Sequence, residues 1–175
     1  TAVGLDNQVE VSWDMPAGGS YDNDEITYVD GTFEDAIYMS SGTAVMGNYF
    51  DMPYGAEASI ANSCAIWGEP GLSGPTTLSG FSVTAGLPEA SADYTLPITL
   101  EEGQWNMFDL GWDFAGDFVL AIEVSLTIGM AIDSDNAPSQ NSWANLGGWQ
   151  PWTEVANEYT LTDGEFGLNA NVTTV

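Results

Sequence analysis

The feature that most constrains this chain is the absence of Lys, Arg and His from its 175 residues, against 26 Asp and Glu. Apart from the amino terminus the chain carries no cation, so its fold can contain no salt bridge between side chains. A Ser-His-Asp triad, an imidazole metal site, a phosphate clamp and a Schiff base all need residues that the chain lacks. The groups left for chemistry are carboxylates, hydroxyls, amides, aromatic rings and one thiol, and we expect no enzymatic activity.

The net charge of −26 also restricts the partners. It implies strong self-repulsion, which salt or bound cations relieve, and it argues against nucleic acid and anionic membranes as partners. No apolar stretch is long enough to cross a membrane, so we expect no membrane insertion. The single cysteine, Cys64, cannot form an internal disulfide, and its apolar neighbours predict a buried, unreactive thiol.

Strand signals dominate the sequence. Segment 8–14, QVEVSWD, alternates apolar and polar residues as a half-buried strand does. Further strands are predicted at 36–39, 44–51, 58–67, 80–85, 94–100, 105–110, 117–122, 126–132 and 165–172, separated by clusters of Gly, Pro, Asn and Asp. Short strands with such turns predict an all-β chain, an antiparallel jelly-roll-like β-sandwich preceded by a separable N-terminal strand.

The composition changes around the Gly-Gly connector that follows Pro16, and this change predicts three parts: an N-terminal strand at 1–16, a linker at 17–25 and a β-sandwich domain at 26–175. A lone strand is not stable by itself, so it must pair in its own sheet or in a neighbouring chain. If it is donated to a neighbour, the side chains that bind the partner are those of Val3, Leu5, Val9, Val11 and Trp13.

Oxygen-rich loops make calcium the candidate cofactor. Asp133, Asp135 and Asn136 follow an apolar strand and offer oxygen ligands at close spacing, although the loop lacks the Gly and the distant Glu of an EF-hand. The alternative is an acidic turn that binds nothing.

Two further motifs concern glycans. Trp149 and Trp152, in one turn, are the candidate exposed pair that could stack on sugar rings, whereas buried tryptophans between sheets are the default. Asn171 begins an Asn-Val-Thr sequon, which is a glycosylation site only in a compartment that glycosylates proteins.

Several motifs resemble known modules. Segment 5–16, LDNQVEVSWDMP, resembles the opening strand of a fibronectin type III module, and segment 28–36, YVDGTFEDA, resembles the entry of jelly-roll modules in large secreted, surface-attached bacterial proteins. Segments GDFVL at 116–120, NSW at 141–143, GGW at 147–149 and GEFGLNANV at 164–172 resemble later strands of those modules, except that Asn169 stands where a basic residue is usual. The resemblance implies a non-catalytic adhesion, anchoring or binding domain.

These observations predict a structural subunit of an extracellular bacterial filament or surface assembly, joined head-to-tail to copies of itself by donation of the N-terminal strand. The alternative is a carbohydrate-binding or adhesive module of a larger secreted protein, with glycans as partners. A glycan-acting enzyme is the third reading, since it would need two carboxylates facing each other across a cleft. All three place the chain outside the cell or at its surface.

Overall fold

The computed structural model describes residues 25–52 and 58–174, together with the backbone alone of residues 2–5, 8–11 and 24. Within this part of the chain the strands are β1 (Ala2–Leu5), β2 (Gln8–Val11), β3 (Asp24–Ile26), β4 (Asp35–Ile37), β5 (Ala44–Phe50), β6 (Ser59–Trp67), β7 (Pro75–Thr84), β8 (Leu87–Pro88), β9 (Tyr94–Thr99), β10 (Trp105–Phe114), β11 (Phe118–Val124), β12 (Met130–Asp133), β13 (Ser142–Asn145), β14 (Trp149–Pro151), β15 (Glu165–Phe166) and β16 (Leu168–Thr174). One α-helix, α1 (Trp152–Tyr159), and a short 3₁₀ turn at Ser134–Asn136 complete the elements. The all-β prediction is confirmed.

Every strand pairing is antiparallel. A four-stranded sheet has the order β10-β6-β16-β3, and a larger sheet has the order β14-β13-β5-β11-β7-β8, with β9 also paired to β7. A small sheet of order β15-β12-β4 is the third, and β1 pairs with β2 in a hairpin.

The core lies between the four-stranded sheet and the larger sheet. Phe114 of β10 stacks on Phe118 of β11 with ring centroids 4.6 Å apart, and Phe118 in turn stacks on Phe50 of β5 at 5.1 Å. Leu120 and Ile122 of β11 are fully buried, and each such side chain contributes about 1.5–3 kcal/mol through burial. This packing makes the body a β-sandwich.

The N-terminal segment is a hairpin rather than a single strand. Its backbone register pairs Val9 with Gly4 and Val11 with Ala2, whereas Val3 is paired with Glu10. The fifth residue of the predicted partner-binding set, Trp13, lies outside the described residues, as do residues 17–23 of the predicted linker at 17–25. The body begins at Asp24, inside the predicted linker, because β3 pairs with β16 from that residue.

No helix in the described part of the chain has both the length and the apolar character needed to cross a membrane.

Candidate functional site

A groove of about 440 Å³ lies on the outer face of the four-stranded sheet. Its floor follows from the strand register, because Ala65 of β6 is paired with Met107 of β10 on one side and with Asn169 of β16 on the other. Paired residues point to the same face of a sheet, so the small Ala65 side chain stands between two longer ones. Ser63 is the next residue of β6 on this face, and it keeps the middle of the sheet low.

Aromatic side chains form one end of the groove. Trp105 lines it and contacts Phe33 and Trp67 edge to face, with centroid distances of 5.7 and 5.9 Å. Phe33 also stacks on Trp67 at 5.2 Å. Phe33 lies over Gly167, where an added Cβ would come within 2.8 Å of its Cε1. Two rings therefore support Trp105, and they fix the orientation of its indole ring at the groove.

Polar side chains form the rest of the lining. Asn169 is 7% exposed, and its buried Oδ1 has no hydrogen-bond partner. Glu25 and Asp30 contribute two exposed carboxylates. The backbone N–H and the hydroxyl of Thr32 donate to Asp30 Oδ1 at 2.8 and 2.7 Å, and these hydrogen bonds hold the pKa of Asp30 below its usual range. The groove thus presents acceptors and negative charge beside an aromatic ring.

The predicted calcium loop stabilises the turn that carries Asp30 of the groove. Asp133 is fully buried, and its Oδ2 accepts hydrogen bonds from the backbone N–H of Asp30 at 2.8 Å and from Asn136 Nδ2 at 2.7 Å. Asp135 is exposed, so the two carboxylates of the predicted site lie in different environments. Among the described residues, no group of three or more His, Cys, Asp or Glu side chains is arranged to hold a metal. Calcium binding here stays a prediction, and Asp133 acts as the anchor of the Asp30 turn.

The predicted tryptophan platform is not formed. Trp152 is 1% exposed, packs on Phe166 with a centroid distance of 5.2 Å, and donates its indole N–H to the carbonyl of Thr162. Trp149 is half-buried against Phe81 in a separate cluster outside the main core. The prediction of an exposed Trp149–Trp152 pair is wrong, because Trp152 opens an amphipathic helix whose apolar side faces the core.

Asn171, the sequon residue, lies within β16 at the sheet face that carries the groove. Its Oδ1 accepts a hydrogen bond from Asn62 Nδ2 at 3.3 Å. A glycan attached at Asn171 would stand on the same face of the sheet as Asn169, next to the groove.

Sequence reasoning missed the residues that form the groove. The signal was present in the closing strand, where Asn169, Ala170 and Asn171 alternate polar and small residues. Ala170 is buried in the core, so this alternation marks an outward polar face. Glu25 and Trp105 join that face only through strand pairing.

A second, larger concavity of about 830 Å³ lies between α1, the β13–β14 turn and the end of β4. Exposed apolar side chains line it, including Tyr38, Leu146, Tyr159 and Leu161. None of the described residues that line it is a carboxylate, so it differs in kind from the groove on the four-stranded sheet.

Comparisons with known proteins show the fold and no family. No protein-family model matches the chain, and no curated protein matches it significantly. Among solved structures, the chain is similar to the clostridial cysteine protease Cwp84 after propeptide cleavage, with a TM-score of 0.66 and 11% identity over 88% of this chain. It is also similar to a structure of the cysteine protease and lectin-like domains of Cwp84, a surface layer associated protein of Clostridium difficile, with a TM-score of 0.55 and 11% identity over 76% of this chain. The chain spans 40% and 32% of those two chains, and at this identity the likeness shows an all-β fold that is shared with part of a bacterial surface-layer associated protein.

Proposed function

We propose that this chain is a non-catalytic, glycan-binding adhesive module of a larger protein at a bacterial cell surface. The observation that carries the proposal is the groove on the four-stranded sheet, where a supported Trp105 ring lies beside exposed carboxylates and a buried carboxamide. An aromatic ring packs against the C–H face of a sugar, while neighbouring polar groups accept hydrogen bonds from its hydroxyls.

The arrangement of the side chains along the groove suits a sugar chain. Trp105 and Met107 lie two residues apart on β10, and Asn169 and Asn171 lie two residues apart on β16. The two strands flank β6, so Met107 faces Asn169 across the small Ala65 side chain, while Trp105 stands beside Trp67 at the end of the groove. A ligand with one apolar face and a polar edge fits this division.

The two solved structures also support the proposal of a binding module. We infer that an all-β chain spanning 40% and 32% of the two Cwp84 structures corresponds to the lectin-like domain named for that protein, and Cwp84 is surface layer associated. Because this chain spans only part of the proteins that share its fold, we infer that it functions as a module rather than as a whole enzyme. We infer a cell-surface location from the same comparison.

The groove does bring two carboxylates and a tryptophan together, which is the arrangement that would favour a glycosidase. Such an enzyme needs one acid with a raised pKa in an apolar setting. Asp30 has the opposite property, since hydrogen bonds from Thr32 lower its pKa, and Glu25 is exposed. We therefore propose that the groove binds and does not cleave. Hydrolysis of a polysaccharide that is lost on substitution of Glu25 would contradict this.

The binding proposal is tested by screening an array of immobilised glycans and measuring the hits by isothermal titration calorimetry. Trp105→Ala should weaken binding about tenfold or more, which corresponds to the loss of about 1.4 kcal/mol. Trp143→Ala is the matched control, because Trp143 is a half-buried ring that stacks on Tyr49 in the larger sheet. Equal losses in the two variants, or no hit on the array, would reject the groove as a glycan site.

The filament subunit is the second candidate, and one observation favours it. Among the described residues β1 pairs with β2 alone and joins none of the body sheets. An isolated two-stranded hairpin is marginally stable in water, so this segment would gain stability by adding to a sheet of a neighbouring copy. The likeness to Cwp84 favours the module over the filament.

A further inference from the structure

We propose that the groove on the four-stranded sheet selects glycans that carry free amino groups over their N-acetylated or anionic counterparts. This inference rests on the proposed glycan-binding function and names the ligand class for the same groove. It is drawn from the charge and the hydrogen-bonding groups of the lining.

The chain has no Lys, Arg or His, so every charged side chain that a ligand can meet on it is an acid. In the groove these acids are Glu25 and Asp30. Carboxylates, sulfates and phosphates on a glycan would meet repulsion with no compensating cation, whereas an ammonium group would gain charge-assisted hydrogen bonds.

When ionised, Glu25 and Asp30 accept hydrogen bonds and donate none. Asn169 Oδ1 is a further acceptor, buried and without a donor. Because this oxygen is buried, a ligand donor could reach it only if the carboxamide rotated toward the groove. A protonated amine brings three donors where an acetamide brings one, so the ammonium group matches an acceptor-rich lining better.

The aromatic end of the groove can contact both the ring and the amino group of such a sugar. The Trp105 ring, supported by Phe33 and Trp67, can contact both the C–H face of a sugar and a neighbouring ammonium group, because the face of an indole ring attracts cations. Met107 is 67% exposed and offers a polarisable, adaptable wall on the same strand. A protonated amino sugar can make both contacts with the ring, whereas a neutral sugar can make only the contact through its C–H face.

The test compares two tetrasaccharides with the same backbone, one of β-linked glucosamine and one of β-linked N-acetylglucosamine, by calorimetry on the full chain. The buffer is mildly acidic, so that the sugar amines are protonated, and it contains about 0.15 M NaCl, where the Debye length of about 8 Å screens long-range attraction to the net charge. We expect the free-amine tetramer to bind about tenfold tighter or more.

Two variants locate the effect. Glu25→Gln should weaken binding of the free-amine tetramer about threefold to tenfold. Glu123→Gln is the matched control, because Glu123 is an exposed acid of β11 in the other sheet, and it should change binding less than about twofold. Both sites are exposed, so both variants should fold, and circular dichroism checks this.

Every other outcome contradicts the inference, and each one identifies a different reason. Equal or tighter binding of the N-acetylated tetramer would overturn the amine preference while leaving the glycan-binding function intact. Equal effects of Glu25→Gln and Glu123→Gln, or equally tight binding of tetralysine, would show attraction by net charge alone. Absence of binding by both tetramers and by every neutral glycan on the array would reject the proposed function itself.

Discussion

Glu165 is the residue at which the absence of cations can be tested most directly. Its side chain is 3% exposed, and a buried carboxylate is normally paired with a cation. Here Oε1 accepts the backbone N–H groups of Gln140 and Asn141 at 2.6 and 3.1 Å, and Oε2 accepts the hydroxyls of Ser142 and Ser139 at 2.7 and 3.2 Å. Neutral donors alone therefore stabilise the Glu165 carboxylate, and the same hydrogen bonds fix the 139–142 loop.

We expect Glu165→Ala to lower the free energy of unfolding by about 3–4 kcal/mol. The substitution removes the acceptor of two part-buried backbone N–H groups, and each donor left unsatisfied costs about 1–3 kcal/mol, less where water reaches it. That gives about 2–6 kcal/mol, of which part is recovered because the carboxylate no longer loses its hydration on folding. Glu165→Gln keeps one oxygen for the two N–H groups, so its cost should be about half as large.

Urea denaturation followed by tryptophan fluorescence measures these differences. Glu123→Ala is the control for loss of one negative charge, because Glu123 is exposed on β11; it should change stability by less than about 0.5 kcal/mol. A loss below about 1 kcal/mol for Glu165→Ala would refute the reasoning. So would equal losses for the alanine and glutamine variants, because the acceptor count would then not decide the energy.

The remaining predictions address assembly, cations, pH and the thiol. Deletion of residues 1–16 should leave the urea midpoint of the body unchanged, because the four-stranded sheet begins at Asp24; loss of assembly in light scattering would support the filament, and unchanged assembly would contradict strand donation. Salt should raise Tm by screening, and a larger shift with millimolar Ca²⁺ than with NaCl of equal ionic strength, removed by Asp135→Asn, would show a specific site. Burial raises the pKa of Glu69 above its unfolded value, so the folded state favours its protonated form and stability should increase as pH falls from 7 to 5; Tm of Glu69→Gln should rise less over that range than Tm of the unmodified chain. Burial raises the pKa of Cys64 to about 12, so a thiol reagent at pH 8 should label it only when urea unfolds the chain, and rapid labelling of the folded protein would show that the site opens.

Strand periodicity predicted most of the sandwich because alternation and apolar runs are local properties. The predicted strand at 58–67 is observed as β6, Ser59–Trp67, and the prediction at 117–122 corresponds to β11, Phe118–Val124. In β11 an apolar run sits in the middle of the larger sheet, between β5 and β7. Such runs read as strands whichever neighbours they have.

Helix α1 was not predicted, although its signal is visible in retrospect. Trp152, Val155 and Ala156 have the spacing of one helical face and are the residues of α1 that are buried. Pro151 precedes the first turn, a position that proline tolerates. With eight residues the helix has little more than two turns, too short for its period to outweigh the strand-like and turn-like residues around it.

The groove could not be predicted because it depends on register. Ala65, Met107 and Asn169 are distant in sequence, and only the pairing of β6 with β10 and β16 puts them side by side. A shift of one residue in either pairing would turn the opposite faces outward. The sequence indicated that each strand had a polar face, and the structure showed which polar faces meet.

The absence of cations separates the two concavities by the ligands that each can accept. In the groove on the four-stranded sheet, Glu25 and Asp30 repel anions and give an ammonium group direct partners. In the concavity beside α1 no described lining residue is charged, so a charged ligand would lose its hydration there without gaining a partner. One surface therefore suits polar ligands rich in donors, and the other suits uncharged ones.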